Sequence, residues 1–463
     1  KIGAIIMDDC SSADRGLNLT KEFYGGILLV NDSTGALINP DRVVGFVGSA
    51  NSDKTMKVAE YLKTTKTVLV APQATSPQLS DRTRFPYFVR TLPSDNMQGP
   101  ALAALLISHG WMNVHIVIED ELTYPRDLAR LFRETFEKEG GCVSSTFILK
   151  SDTHTINKTK SNEEDIILEI MESTLKSDIV LVLGGGIVKP LLAAKQKFMK
   201  DISAKRLVFI GTETWGKTEF MVDGFEKAAA GSITIALYGD TVKAFDTHMS
   251  KLRFGQPSAS SVHTEMYFKA MFNCNTNCTT DMIVTELPTY SQDTFILQTI
   301  HAVYALSIAT TERLTKKCGK GTKTVCEALG TAFGKNFTDI LGNMSFKDID
   351  GHNVTILNRE SGNAYNFFYW KKDGTPMKIG SSGSNGKSFE ADDNNFPKGY
   401  YDLLPQSECP DVCGYYCKRC KLHRKEKLVT KCSECQLMRN EGYTKCDACV
   451  VSGSKYQCFN CKE

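Results

Sequence analysis

Ten of the sixteen cysteines lie between Cys409 and Cys461, spaced C-x3-C-x3-C-x2-C-x11-C-x2-C-x10-C-x2-C-x8-C-x2-C. In a reducing compartment the four CxxC pairs would read as zinc ribbons. The same chain carries seven N-x-S/T sequons, at Asn18, Asn31, Asn157, Asn277, Asn336, Asn343 and Asn353. One such tripeptide is common by chance, but seven beside close cysteine pairs point to a secreted or cell-surface protein, where these thiols pair as disulfides. A segment of this length with few large apolar residues builds no core and needs such staples. Catalytic constellations are missing from the sequence: there is no P-loop, nucleophile elbow or HExxH, and no carboxylate pair at a recognisable spacing. Gly184-Gly185-Gly186 follows an apolar run and imitates a phosphate loop weakly; a tight turn explains it better. No enzyme activity, cofactor or metal is expected.

The elements that would position a binding site follow from pattern. At 463 residues, two or three domains are expected, and a net charge of +2 gives no reason to expect nucleic acid or an anionic membrane surface. No apolar run approaches the ~18 residues of a membrane helix. The chain opens inside a predicted strand and is read as a piece of a longer polypeptide. Strands are predicted over residues 2–7, 43–47, 67–71, 87–91, 114–119, 178–183, 207–211 and 233–237. Amphipathic helices are predicted over 54–63, 98–109, 127–139, 163–175 and 189–199. This alternation implies parallel sheets with right-handed crossovers, an α/β fold of two Rossmann-like lobes. Helix dominates from 238 to about 309, with 294–309 its best-marked example. Residues 351–370 alternate as antiparallel strands do, 374–395 reads as loop, and a different composition begins at Cys409. Ligands of such sheets bind at the carboxyl ends of strands beside helix N-termini, here between the lobes.

Several motifs, in order, resemble the class C G-protein-coupled receptor ectodomains, most closely the metabotropic glutamate receptors. They are Asp8-Asp-Cys10-Ser, Gly45-Phe-Val-Gly-Ser-Ala-Asn-Ser52, Ala74-Thr-Ser76, Leu79-Ser-Asp81 and Tyr87-Phe-x-Arg-Thr-x-Pro-Ser-Asp95. Trp111, Glu139-Gly-x-Cys142, Ile210-Gly-Thr-Glu-Thr-Trp215, Gly231-Ser-Ile-Thr-Ile235 and Ala302-Val-Tyr-Ala305 continue the register. The similarity covers roughly residues 1–370. It implies a bilobed Venus flytrap of the periplasmic-binding-protein type I-like class, followed by a small disulfide-rich domain. Lobe 1 would be 1–92 and 238–350, lobe 2 would be 93–237 and 351–400, and the stalk 401–463.

The resemblance also implies a site for an α-amino acid, whose carboxylate and ammonium need hydroxyl and backbone donors beside an anionic or aromatic group. Ser52 and Thr75 fall where hydroxyls hold the carboxylate, with backbone donors from Gln73 and Ala74. Asp95, Tyr124 and Glu213 fall where the ammonium binds: Asp95 through its carbonyl, Tyr124 through its ring, Glu213 through its carboxylate. Simpler roles exist for most of them. Ser52 fits an N-cap, Asp95 a helix cap, and Tyr124 ordinary surface. Glu213 stands where the family has Asp. Phe295 stands where glutamate receptors have a Lys that pairs with the ligand's distal carboxylate, which argues against glutamate because burying that carboxylate unpaired costs several kcal/mol. Phe295 also fits a core position.

Finally, the resemblance implies intralobe disulfides at Cys274/Cys278 and Cys318/Cys326, a bond from Cys142 to the stalk, and an upstream partner for Cys10. It implies a homodimer packed through lobe 1 at 54–63 and 98–109, with Val58, Leu62, Leu102 and Leu106 as candidate contacts. A transmembrane bundle and a G protein would lie outside this segment, and the chain would sit on the extracellular side of the plasma membrane. The function so implied is amino-acid sensing by cleft closure; the alternative is a partner subunit that binds nothing.

Overall fold

The computed structural model describes residues 3–392 apart from 33, 121, 151–161, 173–176, 200–206, 238, 240, 257–261, 276, 288–289, 294, 321–333, 363–364 and 384–385, together with 448–452 and 455–459. The chain starts with α1 (Ala13–Tyr24), β1 (Phe46–Val47), α2 (Ser52–Thr65), β2 (Leu69–Ala71) and β3 (Phe88–Arg90). Next come α3 (Asp95–Ser108), β4 (Asn113–Glu119), α4 (Thr123–Lys138), β5 (Cys142–Leu149), α5 (Asn162–Glu172) and β6 (Ile179–Leu183). Then follow α6 (Val188–Phe198), β7 (Val208–Gly211), α7 (Glu226–Ala229) and β8 (Ile233–Leu237). Four helices come after these: α8 (Lys243–Met249), α9 (Val262–Met271), α10 (Ile296–Cys318) and α11 (Gly334–Gly342). The chain then returns to strands with β9 (Met344–Lys347), β10 (Asn353–Leu357), β11 (Glu360–Ser361), β12 (Tyr365–Trp370), β13 (Pro376–Ser382) and β14 (Phe389–Ala391).

Two sheets result. The first has six strands in the order β1-β2-β3-β11-β10-β9, and the second eight in the order β14-β13-β12-β8-β7-β6-β4-β5. In the second, β5, β4, β6, β7 and β8 run parallel and β12 to β14 antiparallel. Every residue of β6, Ile-Val-Leu-Val-Leu, is buried, as a parallel strand covered by helices on both faces demands. Leu102, Leu106, Leu128 and Phe132 from α3 and α4 pack one face of this sheet beside Ile116 and Leu181. Ile167, Leu191 and Ala228 from α5, α6 and α7 pack the other beside Val117 and Val182. The smaller sheet is covered in the same way, by Val58 and Leu62 of α2 on one side and by Ala305 and Leu341 of α10 and α11 on the other. The two sheets with their helix layers are the two lobes of a Venus flytrap.

Several expectations are corrected. Residues 3–9 form no strand, and Ile6 is 85% exposed. The neighbour they would pair with, β1, is only two residues long and pairs with β2. Helix α1 was not anticipated; Ser12 caps it by accepting from the Arg15 N–H. Residues 374–395 contain β13 and β14 rather than a loop. Their glycine content misleads, since a Cβ at Gly380 would lie 2.5 Å from the Glu390 carbonyl: the glycine permits close strand approach. Strands β10 and β11 belong to the first sheet, so the return to the second falls after Ser361 and not at 350. Val58, Leu62, Leu102 and Leu106 are 0–5% exposed and belong to the core, so none is available as a dimer contact, and Leu102 and Leu106 sit on α3, which packs on the eight-stranded sheet and not in lobe 1.

Cys274 and Cys278 are disulfide-bonded. Cys142 and Cys318 are disulfide-bonded as well; Cys326 and the stalk cysteines other than Cys449 and Cys458 lie outside the described residues. Those two sit opposite one another in a hairpin of β15 (Ala448–Ser452) and β16 (Lys455–Phe459). Cys10 is exposed and unpaired among the described residues. The sequon asparagines Asn18, Asn31, Asn277, Asn336, Asn343 and Asn353 are all exposed, and Asn157 lies outside the described residues.

Candidate ligand site

Connections at the carboxyl ends of β1, β2, β3 and β7 carry the functional side chains. Ser52 opens α2 after β1, but the cap is Asn51, whose Oδ1 accepts from the Lys54 N–H at 2.9 Å. The Ser52 hydroxyl is thus free of that duty. It is 2% exposed and accepts from the Ser76 N–H at 3.1 Å, which ties the α2 start to the loop after β2. Thr75 lies in that loop and is also 2% exposed. Ala74 is fully buried and Gln73 half-buried.

The loop is held from behind. Arg90, the last residue of β3 and fully buried, donates through Nη1 to the carbonyls of Ala74, Thr75 and Ser76 at 3.3, 2.8 and 3.0 Å. Its Nη2 donates to Ser80 Oγ and to Glu360 Oε1 at 2.8 Å. The five-donor fork of a guanidinium suits this work and an ammonium does not. Arg90 stands within the motif 87–95, yet its neighbours in space are separated from it by up to 270 residues.

Asp95 begins α3. The cap is again the preceding residue, Ser94, which accepts from the Asn96 N–H at 3.3 Å. The Asp95 N–H donates to the Thr75 carbonyl at 3.0 Å, so the two loops touch. Its carboxyl is fully buried, and among the described residues neither oxygen meets a hydrogen-bond donor in good geometry. Burial, then the charge of Glu213, pushes its pKa well above the carboxylate range.

Glu213 follows β7, is 3% exposed, and is raised by burial from 4.5 to about 7. The Tyr124 hydroxyl donates to its Oε2 at 2.7 Å. Gln98 Nε2 donates to the same oxygen, and the Tyr124 hydroxyl lies 3.3 Å from Gln98 Oε1. Tyr124 is 8% exposed, which overturns its reading as surface. Tyr365, the first residue of β12, is buried with its hydroxyl unpartnered among the described residues, and the charges of Glu213 and Asp95 act on it after burial in raising its pKa. Asp95, Glu213, Tyr124, Gln98 and Tyr365 therefore make one buried acidic and phenolic cluster. An arrangement of this kind favours a cation with several N–H donors.

Sequence reasoning brought in Asp95, Tyr124 and Glu213 but missed Gln98 and Tyr365. Gln98 had a signal, because it lies one turn beyond Asp95 on the same helix face. Tyr365 had none, since only the antiparallel pairing of β12 with β8 places it. Phe295 precedes α10, is half-buried, and packs against the core cluster that contains Tyr124, Leu92 and Tyr365.

Two contacts join the sheets' helix layers. Asp53 of α2 accepts from the Thr123 N–H at 3.1 Å and from its hydroxyl. Asp127 of α4 accepts from the Ser76 hydroxyl and from Gln78 Nε2, each at 3.0 Å. Ser52 and Tyr124 are each one residue from the first of these contacts. The glycine run after β6 serves structure: Gly184 has φ +128°, a Cβ there would collide with Glu119, and the Gly186 N–H donates to Glu119 Oε2 at 3.2 Å.

Among the described residues no helix is long and apolar enough to cross a membrane. Residues 1–372 match the family model for the receptor family ligand binding region. The chain is 23% identical over 440 residues to metabotropic glutamate receptor 4 of Macaca fascicularis, covering 89% of this chain and 46% of that protein. It thus spans about half the length of that relative. With the two-sheet fold, these matches place the chain in the receptor ligand-binding-region family, as a ligand-binding ectodomain of the class C G-protein-coupled receptor kind.

Proposed function

We propose that this ectodomain senses an amino acid or amino-acid-like ligand at the cell surface. The α-carboxylate would meet the Ser52 and Thr75 hydroxyls with backbone donors from Gln73 and Ala74. The ammonium would enter the cluster of Asp95, Tyr124 and Glu213. The observation that carries this reading is the buried acidic cluster on one wall, tied through the bond from the Asp95 N–H to the Thr75 carbonyl to the hydroxyl-bearing loop on the other. A zwitterion complements both walls. Phe295, with no cation in its side chain, disfavours a distal carboxylate, so a neutral, aromatic or basic amino acid fits better than glutamate.

In this reading lobe 1 is built on the six-stranded sheet, lobe 2 on the eight-stranded one, and the stalk begins near residue 401. Ligand between the lobes favours closure, helped by Asp53–Thr123 and Asp127–Ser76, and closure is passed through Cys142 and the stalk to a membrane bundle and its G protein. A homodimer through lobe 1 remains part of the proposal, with contacts other than the four core residues named above. The seven sequons are proposed N-glycosylation sites.

Titration calorimetry of the secreted chain against the twenty amino acids tests the reading, with saturable heat expected for at least one neutral or basic member. A second reading, a partner subunit that binds nothing, draws on the hydrogen bonds that Tyr124 and Gln98 already give Glu213. A silent calorimeter across the whole panel favours that reading.

A further inference from the structure

We propose that Asn353 carries an N-linked glycan whose first sugars lie in an open cavity of about 600 Å³ beside it, bridging β10 to the first turn of α3. The proposal rests on the reading of the chain as an extracellular domain. Asn353-Val354-Thr355 is an acceptor tripeptide. In β10 burial alternates, so Asn353, Thr355 and Leu357 share the solvent face, and all three line the cavity. The acceptor amide therefore sits on the wall of the space its own sugar would enter.

The lining suits a pyranose. Leu357 is an apolar side chain left 61% exposed at the end of the strand, a platform for the C–H face of a sugar ring. Asn96 and Met97 of α3 form the opposite wall, offering an amide and a thioether. Thr355 and Ser80 add hydroxyls to the lining, and Glu360 a carboxylate. A sugar carries hydroxyls and an acetamido group, which can pair with the amide, hydroxyl and carboxylate groups of such a lining. Tethering at Asn353 gives a high effective concentration, so modest contacts suffice to hold the first rings in place.

Position gives this strap a consequence. Glu360 lines the cavity and also accepts from Arg90, the residue that holds the carbonyls of the 74–76 loop. A glycan seated here thus connects to the candidate ligand loop through Glu360 and Arg90.

The test uses the full chain secreted from a eukaryotic host. Glycopeptide mass spectrometry reads occupancy at Asn353, and hydrogen exchange is followed in peptides covering 94–98 and 353–361. Four proteins are compared with wild type: the chain trimmed by endoglycosidase to its first sugar, Thr355→Ala, Thr355→Ser and Asn18→Gln. Asn353 is expected to be occupied. Exchange at the start of α3 should quicken several-fold in Thr355→Ala and stay protected in the trimmed chain, in Thr355→Ser and in Asn18→Gln. An unoccupied Asn353 overturns the proposal. So does equal exchange in Thr355→Ala and Thr355→Ser. If Thr355→Ala is not secreted, complete enzymatic deglycosylation of the folded wild-type chain gives the same comparison. No amino acid need bind for any of these readouts, so they stand or fall apart from the ligand reading.

Discussion

The Tyr124 hydroxyl donates to Glu213 Oε2 at 2.7 Å, joining helix α4 to the turn after β7 inside one buried acidic cluster. That bond favours the ionised carboxylate, whereas burial opposes it, and burial wins: the Glu213 pKa is raised to about 7. The balance makes the charge of the site depend on pH within the physiological range.

Ligand affinity should follow that charge. An ammonium gains most from an ionised Glu213, so affinity for the best amino acid found by calorimetry should increase several-fold between about pH 6 and about pH 8. Glu213→Gln should bind more weakly at the upper pH and show a flat profile. An unchanged slope in Glu213→Gln would assign the pH dependence to another group.

Stability of the ligand-free chain should move the opposite way. A carboxyl whose folded pKa is raised contributes fully below its unfolded value, here 4.5, and loses that contribution as pH climbs through about 7. The wild-type melting temperature should therefore fall relative to that of Glu213→Gln between about pH 5 and about pH 8. Taking the difference between the two proteins removes the opposing effect of His301, whose pKa burial lowers. Parallel melting curves for the two proteins would contradict a buried, titrating Glu213.

Arg90→Ala should be among the most damaging single changes. It removes the donor of three loop carbonyls and one of the two cations on Glu360, which keeps Arg82 and Ser80, a loss of about 3 kcal/mol or more. Arg90→Lys should recover only part of it, because an ammonium cannot span the carbonyls and the carboxylate together. Denaturant unfolding measures both, and a full rescue by lysine would show that charge alone matters here.

Phe295→Lys tests specificity. A cation at the start of α10 should improve binding of acidic amino acids by about tenfold, or about 1.4 kcal/mol, relative to neutral ones. If the ratio of affinities stays put, Phe295 is only the core residue that its packing against the Tyr124 cluster makes it.

Much of the architecture was legible because parallel strands buried on both faces read as unbroken apolar runs, β6 being the clearest. The failures have physical causes. The apolar residues of 3–7 have the composition of a strand but gain no partner, and pairing is a tertiary matter. Gly380 looked like a loop residue because sequence cannot show the carbonyl that passes over it. In the site, Ser52 and Asp95 each had two readings. The structure separates them by giving the capping role to the residue immediately before, Asn51 in one case and Ser94 in the other. Arg90, Gln98 and Tyr365 act through neighbours far away in sequence, which periodicity does not report.

The routes by which the chain passes between sheets carry a mechanical consequence. Residues 91–94 leave β3, 238–242 leave β8, and 362–364 join β11 to β12. Strand β3 lies beside β11, and β8 lies beside β12, so the first and third routes depart from adjacent strands, and the third arrives beside the strand that the second leaves. A three-residue span reaches only about 10 Å even when fully stretched. The two sheets are therefore held close at this link, and in the proposed closure it is the point about which one would turn against the other. A lengthened link at 362–364 would loosen that tie without touching any residue of the candidate site.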